Sequence, residues 1–152
     1  TRCAVVYAPQ SDELYCAVRG QGAALNGETI WCSRTDRLDR TVIASGFPYS
    51  FDRSDRTNVR EWSSVVPNVL TVRCMGAAAQ DLCEVARGRI DAFWEIELER
   101  WDIAAGALIC AEAGALVTDL RGTRLDGPGN EVLAANPALH PAVLNLLISH
   151  PM

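Results

Sequence analysis

Hydrophobic and polar positions change rhythm once along this chain. The first thirty or so residues read as short β-strands divided by turn formers. Ala4–Tyr7 is a brief apolar run ended by Ala8-Pro9, and Glu13–Arg19 resumes with β-forming residues, so the two predict an antiparallel hairpin. Gly20 and Gly22 interrupt it, Ala23–Leu25 is a strand stub, Asn26-Gly27 is a hairpin turn signal, and Glu28–Cys32 is a further short strand. Ser33–Arg40 is a charged surface connection. From Thr41 onward strands alternate with helices. The predicted strands are Thr41–Ser45, Leu70–Cys74, Ile90–Glu95, Leu116–Thr118 and Val132–Ala135. The predicted helices are Asp52–Val66, Ala77–Ala86 closed by Gly88, Asp102–Ala113 closed by Gly114, and Pro137–Ile148. Arg121–Asn130 is a glycine-rich loop. This order predicts an α/β fold in which helices cover the sheet faces.

Composition narrows the classes. At 152 residues, 49% hydrophobic and 22% charged, the chain suits one soluble globular domain. No apolar run is long enough to span a bilayer, and no secretory signal is visible. The net charge of −5, with arginines scattered apart from Arg53, Arg56 and Arg60, argues against a nucleic-acid partner. Six cysteines occur without a C-x-x-C pair, and Cys83 and Cys110 lie in helix-like apolar stretches. They read as thiols of a reducing cytoplasm rather than as disulfides. The chain begins at Thr1 and enters directly into strand-like sequence. The expectation is a processed protein or the back part of a longer one.

Candidate chemistry gathers in Glu95–Gly114. Asp102 stands at the mouth of an apolar segment, where an acid accepts backbone N–H bonds and complements the helix dipole. Capping alone accounts for it, yet one oxygen is left over. Glu95, Glu97, Glu99 and Asp102 crowd the same approach. They are either solvated acids or the wall of a site for a hard cation, although one Asp is too few for tight Mg²⁺ binding. Gly76-Ala77-Ala78 opens the helix that carries Asp81, a composition that suits either close ligand approach to free N–H groups or close helix–sheet packing. His140 and His150 have no partner at metal-ligand spacing, and neither a G-x-S-x-G nor a phosphate-binding P-loop is present.

Trp101-Asp102-Ile103-Ala104-Ala105-Gly106, followed by Glu112-Ala113-Gly114, resembles the C-terminal signature of the inositol monophosphatase family, with Ala115 in place of a last Gly. Gly76–Cys83 and Ala86–Glu95 resemble the family's G-S-A-A-x-D-L-C and A-x-G-x-x-D-x-Y-x-E segments. Val5–Pro9, Arg19–Ala23 and Leu25-Asn26-Gly27 resemble its V-V-Y-x-P, R-G-x-G-A and N-G hairpin. The resemblance implies alternating helix and sheet layers of the sugar-phosphatase type and Mg²⁺-dependent hydrolysis of a phosphate monoester. It implies that Asp102 is a catalytic metal ligand that also orients a substrate hydroxyl. It implies that Glu95 contacts a substrate hydroxyl and that Gly76, Ala77 and Ala78 form a backbone platform against the substrate. Glu95 leans toward an inositol phosphate or related polyol or sugar phosphate. The same superfamily includes histidinol-phosphate, fructose-1,6-bisphosphate and 3′-phosphoadenosine 5′-phosphate phosphatases, and the positions around Glu95 and Phe47 do not separate these.

The family's D-P-x-D-G-T motif, which carries further metal carboxylates, occurs nowhere in this sequence. The expectation is therefore the C-terminal half of the enzyme. Residues 1–40 would be a hairpin and strand remnant of a truncated N-terminal sheet, and residues 41–152 the C-terminal α/β layer. A sheet so shortened leaves an edge and a face uncovered, which favours a homo-oligomer or a need for the missing half. A non-catalytic remnant acting as an assembly module is the alternative from outside the enzymes. The expected partner is a small phosphorylated metabolite, with no nucleic acid and no membrane.

Overall fold

A computed structural model describes residues 1–49, 56–125 and 129–149. The expectations for Asp52–Arg53, Asp126–Pro128 and His150 lie outside these residues. Two sheets enclose a pair of helices. The first sheet has the order β1-β2-β3-β4, from Cys3–Ala8, Glu13–Val18, Ala23–Leu25 and Glu28–Thr29, all antiparallel. Asn26 and Gly27 take φ of 51° and 86°, the pair of positive values that a two-residue hairpin turn requires. Period-2 alternation turns Ala4, Tyr15, Ala17 and Ala23 inward. Val5 and Tyr7 on the edge strand β1 face outward, 63% and 53% exposed.

The second sheet has the order β6-β5-β7-β9-β8. Its strands are β5 (Val42–Ser45), β6 (Thr71–Arg73), β7 (Ala92–Ile96), β8 (Leu116–Thr118) and β9 (Glu131–Ala135). β5 runs parallel to both β6 and β7, whereas β9 is antiparallel to β7 and β8. β7 is buried along its whole length, which explains its near-continuous apolar sequence. Helices α2 (Ala78–Ala86) and α3 (Arg100–Glu112) fill the space between the sheets. Helices α1 (Val59–Val65) and α4 (His140–Ile148) cover the far face of the second sheet. The result is the layered α/β fold that the alternation predicts. Phe93 and Ala44 point into the inner core, and Trp94, Ile96 and Ile43 into the outer one.

Several boundaries differ from the expectation for local reasons. The Asp52–Val66 helix is helical over Val59–Val65 among the described residues, because Asn58 takes a left-handed φ of 62°. The Glu28–Cys32 strand stops at Thr29, and the Cys32 N–H is taken by the Ala113 carbonyl of the α3 terminus. The C-terminal helix begins at His140 rather than Pro137, because Asn136 Oδ1 accepts the N–H groups of Ala138 and Leu139. All six cysteines are free thiols.

Three contacts fix the inner helices. Glu112 accepts N–H bonds from Gly20 and Gly22 at 2.8 and 2.9 Å, tying the end of α3 to the β2–β3 turn. Arg87 pairs with Glu13 and donates to the Tyr15 hydroxyl, tying α2 to the hairpin. Gly106 lets α3 lie on α2, since a Cβ there would stand 2.6 Å from Leu82 Cβ. Gly106→Ala should therefore lose about 1–3 kcal/mol through overpacking. The check is the urea midpoint, and an unchanged midpoint would show that the two helices separate freely.

Candidate active site

The three parallel strands end on one side of the second sheet, and the chain beyond each end supplies the site. This is where open α/β sheets place their ligand crevices. β5 delivers Gly46 and Phe47, β6 leads through Cys74 and Met75 to Gly76 and α2, and β7 delivers Glu95. α3 closes the group with Asp102.

Asp102 does not start its helix. α3 begins at Arg100 with Glu99 in the cap position, so Asp102 occupies the third helical position. Its Oδ2 accepts the Glu99 N–H at 2.9 Å, the reciprocal arm of a capping box. No described residue donates to its other oxygen, so the side chain caps and still presents an acceptor. The run of alternating acids is not a regular solvated edge. Ile96 completes β7, Glu97 turns the chain with φ of 57°, and the Leu98 N–H bonds to the Asn130 carbonyl.

Glu95 is 8% exposed, on the face of β7 that looks toward α2 and α3. Burial, then the Asp81 and Asp102 carboxylates, push it up to about 7. Asp81 is buried in the first turns of α2, and its Oδ1 has no hydrogen-bond partner among the described residues. Burial, then Glu84, pushes Asp81 up to about 7 as well. The exposed Cys74 thiol is raised by burial and by the nearby Glu95 and Asp81 charges. Three carboxyls and a thiol thus share one electrostatic neighbourhood.

The raised values fix a pH dependence. In the folded protein Asp81 and Glu95 keep their protons over a range where the unfolded chain has released them. The folded state binds more protons between roughly pH 4 and 7, so stability falls as pH rises through that window. Glu13 and Glu112 are held low by Arg87 and by backbone N–H groups, and their opposite contribution is confined to more acid solution, whereas the buried His140, held low by desolvation, offsets part of the trend up to about pH 6.5. In metal-free buffer the Tm should be higher at pH 5.5 than at pH 7.5 by on the order of 2–4 °C. Asp81→Asn, neutral throughout, should shrink that difference. A Tm that rises with pH across the window would contradict the assignment.

Gly76, Ala77 and Ala78 lie together at the start of α2. Gly76 has φ of 83° with open space on its side-chain side, which leaves its backbone approachable. Ala77 caps without a side-chain bond, and the first N–H groups to return to its carbonyl are those of Gln80 and Asp81. The N–H groups of the first helical turn ahead of Gln80 have no partner within the helix, a setting that suits an anion or a hydroxyl oxygen.

Two contributors escaped the sequence pattern. Gly46 packs so closely on Glu95 that a Cβ would lie 2.4 Å from its Oε1. Asn58, from the start of α1, donates to the Gly46 carbonyl at 2.5 Å. A glycine at a strand end before Phe47-Pro48 was the available signal for the first, whereas Asn58 carried none. As to a metal, the spare Asp102 oxygen has the hard character Mg²⁺ prefers. The described residues nevertheless contain no group of three His, Cys, Asp or Glu side chains placed to hold one. Asp102 fits as a single ligand, and the set here falls short of a Mg²⁺ site. A cavity of about 870 Å³ lies on another flank of α3 against Ala104, Ala107 and Val117, and neither Glu95 nor Asp102 lines it.

Residues 1–151 match the inositol monophosphatase family. Among curated relatives, the putative Nus factor SuhB of Neisseria meningitidis serogroup B is 40% identical over 153 residues, covering 97% of this chain and 56% of the relative. The chain thus spans about half the length of the curated relatives it matches. Among solved structures, the inositol monophosphatase of Anabaena (Nostoc) sp. PCC 7120 superposes with a TM-score of 0.92 at 34% identity, over 97% of this chain and 58% of that one. An inositol monophosphatase/NADP phosphatase solved with NADP and Ca²⁺ has a TM-score of 0.82 at 26% identity, over 97% of this chain and 55% of that one.

Proposed function

The chain belongs to the inositol monophosphatase family, and from that premise we propose that it serves as the C-terminal portion of a Mg²⁺-dependent phosphoric monoester hydrolase. The substrate class is an inositol phosphate or a related polyol or sugar phosphate. What supports this reading is the electrostatic proximity of the buried Glu95 to Asp102 of α3 and to Asp81 of α2. Asp102 would give one ligand to Mg²⁺, with the others coming from beyond the described residues. Bound Mg²⁺ supplies positive charge at the reacting phosphate.

The chain's own residues bind and orient. The free oxygen of Asp102 takes a substrate hydroxyl or the metal while its partner oxygen holds the helix start. Glu95, buried and raised toward neutrality, accepts or donates a hydrogen bond to a second hydroxyl. Gly76 offers its backbone beside open space, and Ala77 and Ala78 offer theirs with only methyl side chains. The free thiols accord with a cytoplasmic setting. The exposed apolar face of the first sheet favours association with another chain.

The test is phosphate release by the protein that carries this chain, with Mg²⁺, from inositol monophosphate, histidinol phosphate, fructose 1,6-bisphosphate and 3′-phosphoadenosine 5′-phosphate. Preference for the inositol ester is expected. Release from none of the four would reject the phosphatase reading. The name of the neisserial relative favours a second reading, a Nus-factor role for the protein that carries this chain. An Asp102→Asn protein that keeps that role while losing phosphate release would separate the two.

A further inference from the structure

We propose that Asn58 is the positioning residue for Glu95, and through it sets the preference for phosphate monoesters that carry a free hydroxyl near the ester. The inference rests on the phosphatase reading above. Its starting point is the register of β5 and β7, in which Ser45 pairs with Trp94. The next residues, Gly46 and Glu95, therefore lie side by side. Gly46 makes the wall on which the Glu95 carboxylate rests, with no room for even a methyl group between them.

Asn58 braces that wall from behind. Asn58 is 1% exposed. Its Nδ2 donates to the Gly46 carbonyl at 2.5 Å and to Ser45 Oγ at 3.0 Å. Its Oδ1 accepts the Trp94 indole N–H at 2.8 Å. Both amide protons and the amide oxygen are thus used, and the donor on Trp94 fixes which way the amide points. Asn58 reaches Glu95 along two routes, through the Gly46 backbone beside it and through Trp94, its neighbour in β7. The backbone at Asn58 is left-handed, φ 62° and ψ 1°, a conformation that asparagine tolerates better than most residues. Trp62 of α1 packs on the same wall, stacked on Phe47 with ring centroids 5.2 Å apart and tilted on Trp94 at 5.8 Å. The elements meeting at Asn58 are those that bound the site, and none of its bonds faces solvent.

Two variants isolate the amide. Asn58→Gly keeps the left-handed backbone at no steric cost and removes the side chain. Asn58→Asp keeps the acceptor for Trp94 and loses the donors to Gly46 and Ser45. In the protein that carries this chain, each should lower kcat/KM for inositol monophosphate roughly 10- to 100-fold, as expected when a contacting group moves by about 1 Å. For 4-nitrophenyl phosphate, which has no hydroxyl to contact, the loss should stay below about threefold. Combined with Glu95→Gln, Asn58→Gly should add no further loss on the inositol ester, because both changes remove one interaction. Equal losses on both esters, or losses that multiply with Glu95→Gln, would overturn the proposal. Should the unaltered protein hydrolyse neither ester, the phosphatase reading fails separately. The crystal structure of Asn58→Gly then decides, since an undisplaced Glu95 carboxylate rejects the positioning role and a displacement of about 1 Å upholds it.

Discussion

Asp102→Asn, in the protein that carries this chain, should lower phosphate release by about two orders of magnitude or more at saturating Mg²⁺, with almost no change in Tm. The two halves of this result come from the two oxygens. Oδ2 is engaged by the Glu99 N–H at the start of α3. An asparagine side-chain oxygen can accept the same bond. The lost charge weakens the dipole interaction by only about 0.3–1 kcal/mol. The other oxygen has no described donor, and there the substitution replaces an anionic oxygen by a neutral amide. Removal of a ligand charge from a metal-assisted phosphoryl site costs several kcal/mol at the transition state, and each 1.36 kcal/mol is about tenfold in rate. Circular-dichroism melting alongside a phosphate-release assay separates the halves. A variant that loses Tm and activity together would make Asp102 a cap alone, and one that keeps full activity would remove it from the mechanism.

What could be read from the sequence follows from the range of the interactions involved. The central strands of the second sheet were legible because burial on both faces makes their sequences apolar, as in Ala92–Ile96. The Asn26-Gly27 turn was legible because two successive positive φ values restrict the residues allowed. The α3 boundary was displaced by two residues for a physical reason. Asp is the preferred cap and Glu the usual reciprocal partner, whereas here Glu99 holds the cap position and Asp102 the reciprocal one, the reverse of what the pattern indicates. Asn58 was illegible. Its amide bonds to residues 12, 13 and 36 positions away, and no periodicity records contacts of that separation. Among the described residues, the start of α1 at Val59 is the visible trace of Asn58, whose left-handed backbone precedes it. The grouping of Asp81 with Glu95 was equally hidden, because it requires the parallel β5–β7 pairing and the packing of α2 on the sheet.

Gly46→Ala tests that grouping from the opposite side. The added Cβ would stand 2.4 Å from Glu95 Oε1, 2.7 Å from its Cδ and 2.9 Å from Oε2. Gly46 has no left-handed backbone to preserve, so the cost is purely steric. The atoms that must give way form the tip of a flexible side chain and not a backbone. The fold should therefore yield little, at most the roughly 1–3 kcal/mol typical of overpacking. The site should yield much more, because Glu95 is the group that moves. Displacement on the order of 1 Å at a substrate contact costs about 100-fold, and that is the expected fall in kcat/KM for inositol monophosphate. The double variant Gly46→Ala/Glu95→Ala gives the decisive comparison. Truncating Glu95 removes the clash, so the double variant should melt at or above Gly46→Ala. It should also be no less active than Glu95→Ala alone, the coupling expected of residues in contact. Independent, additive losses in Tm and in activity would mean that the two residues do not touch in the working protein. The wall of the site would then have to be built from other residues than the ends of β5 and β7.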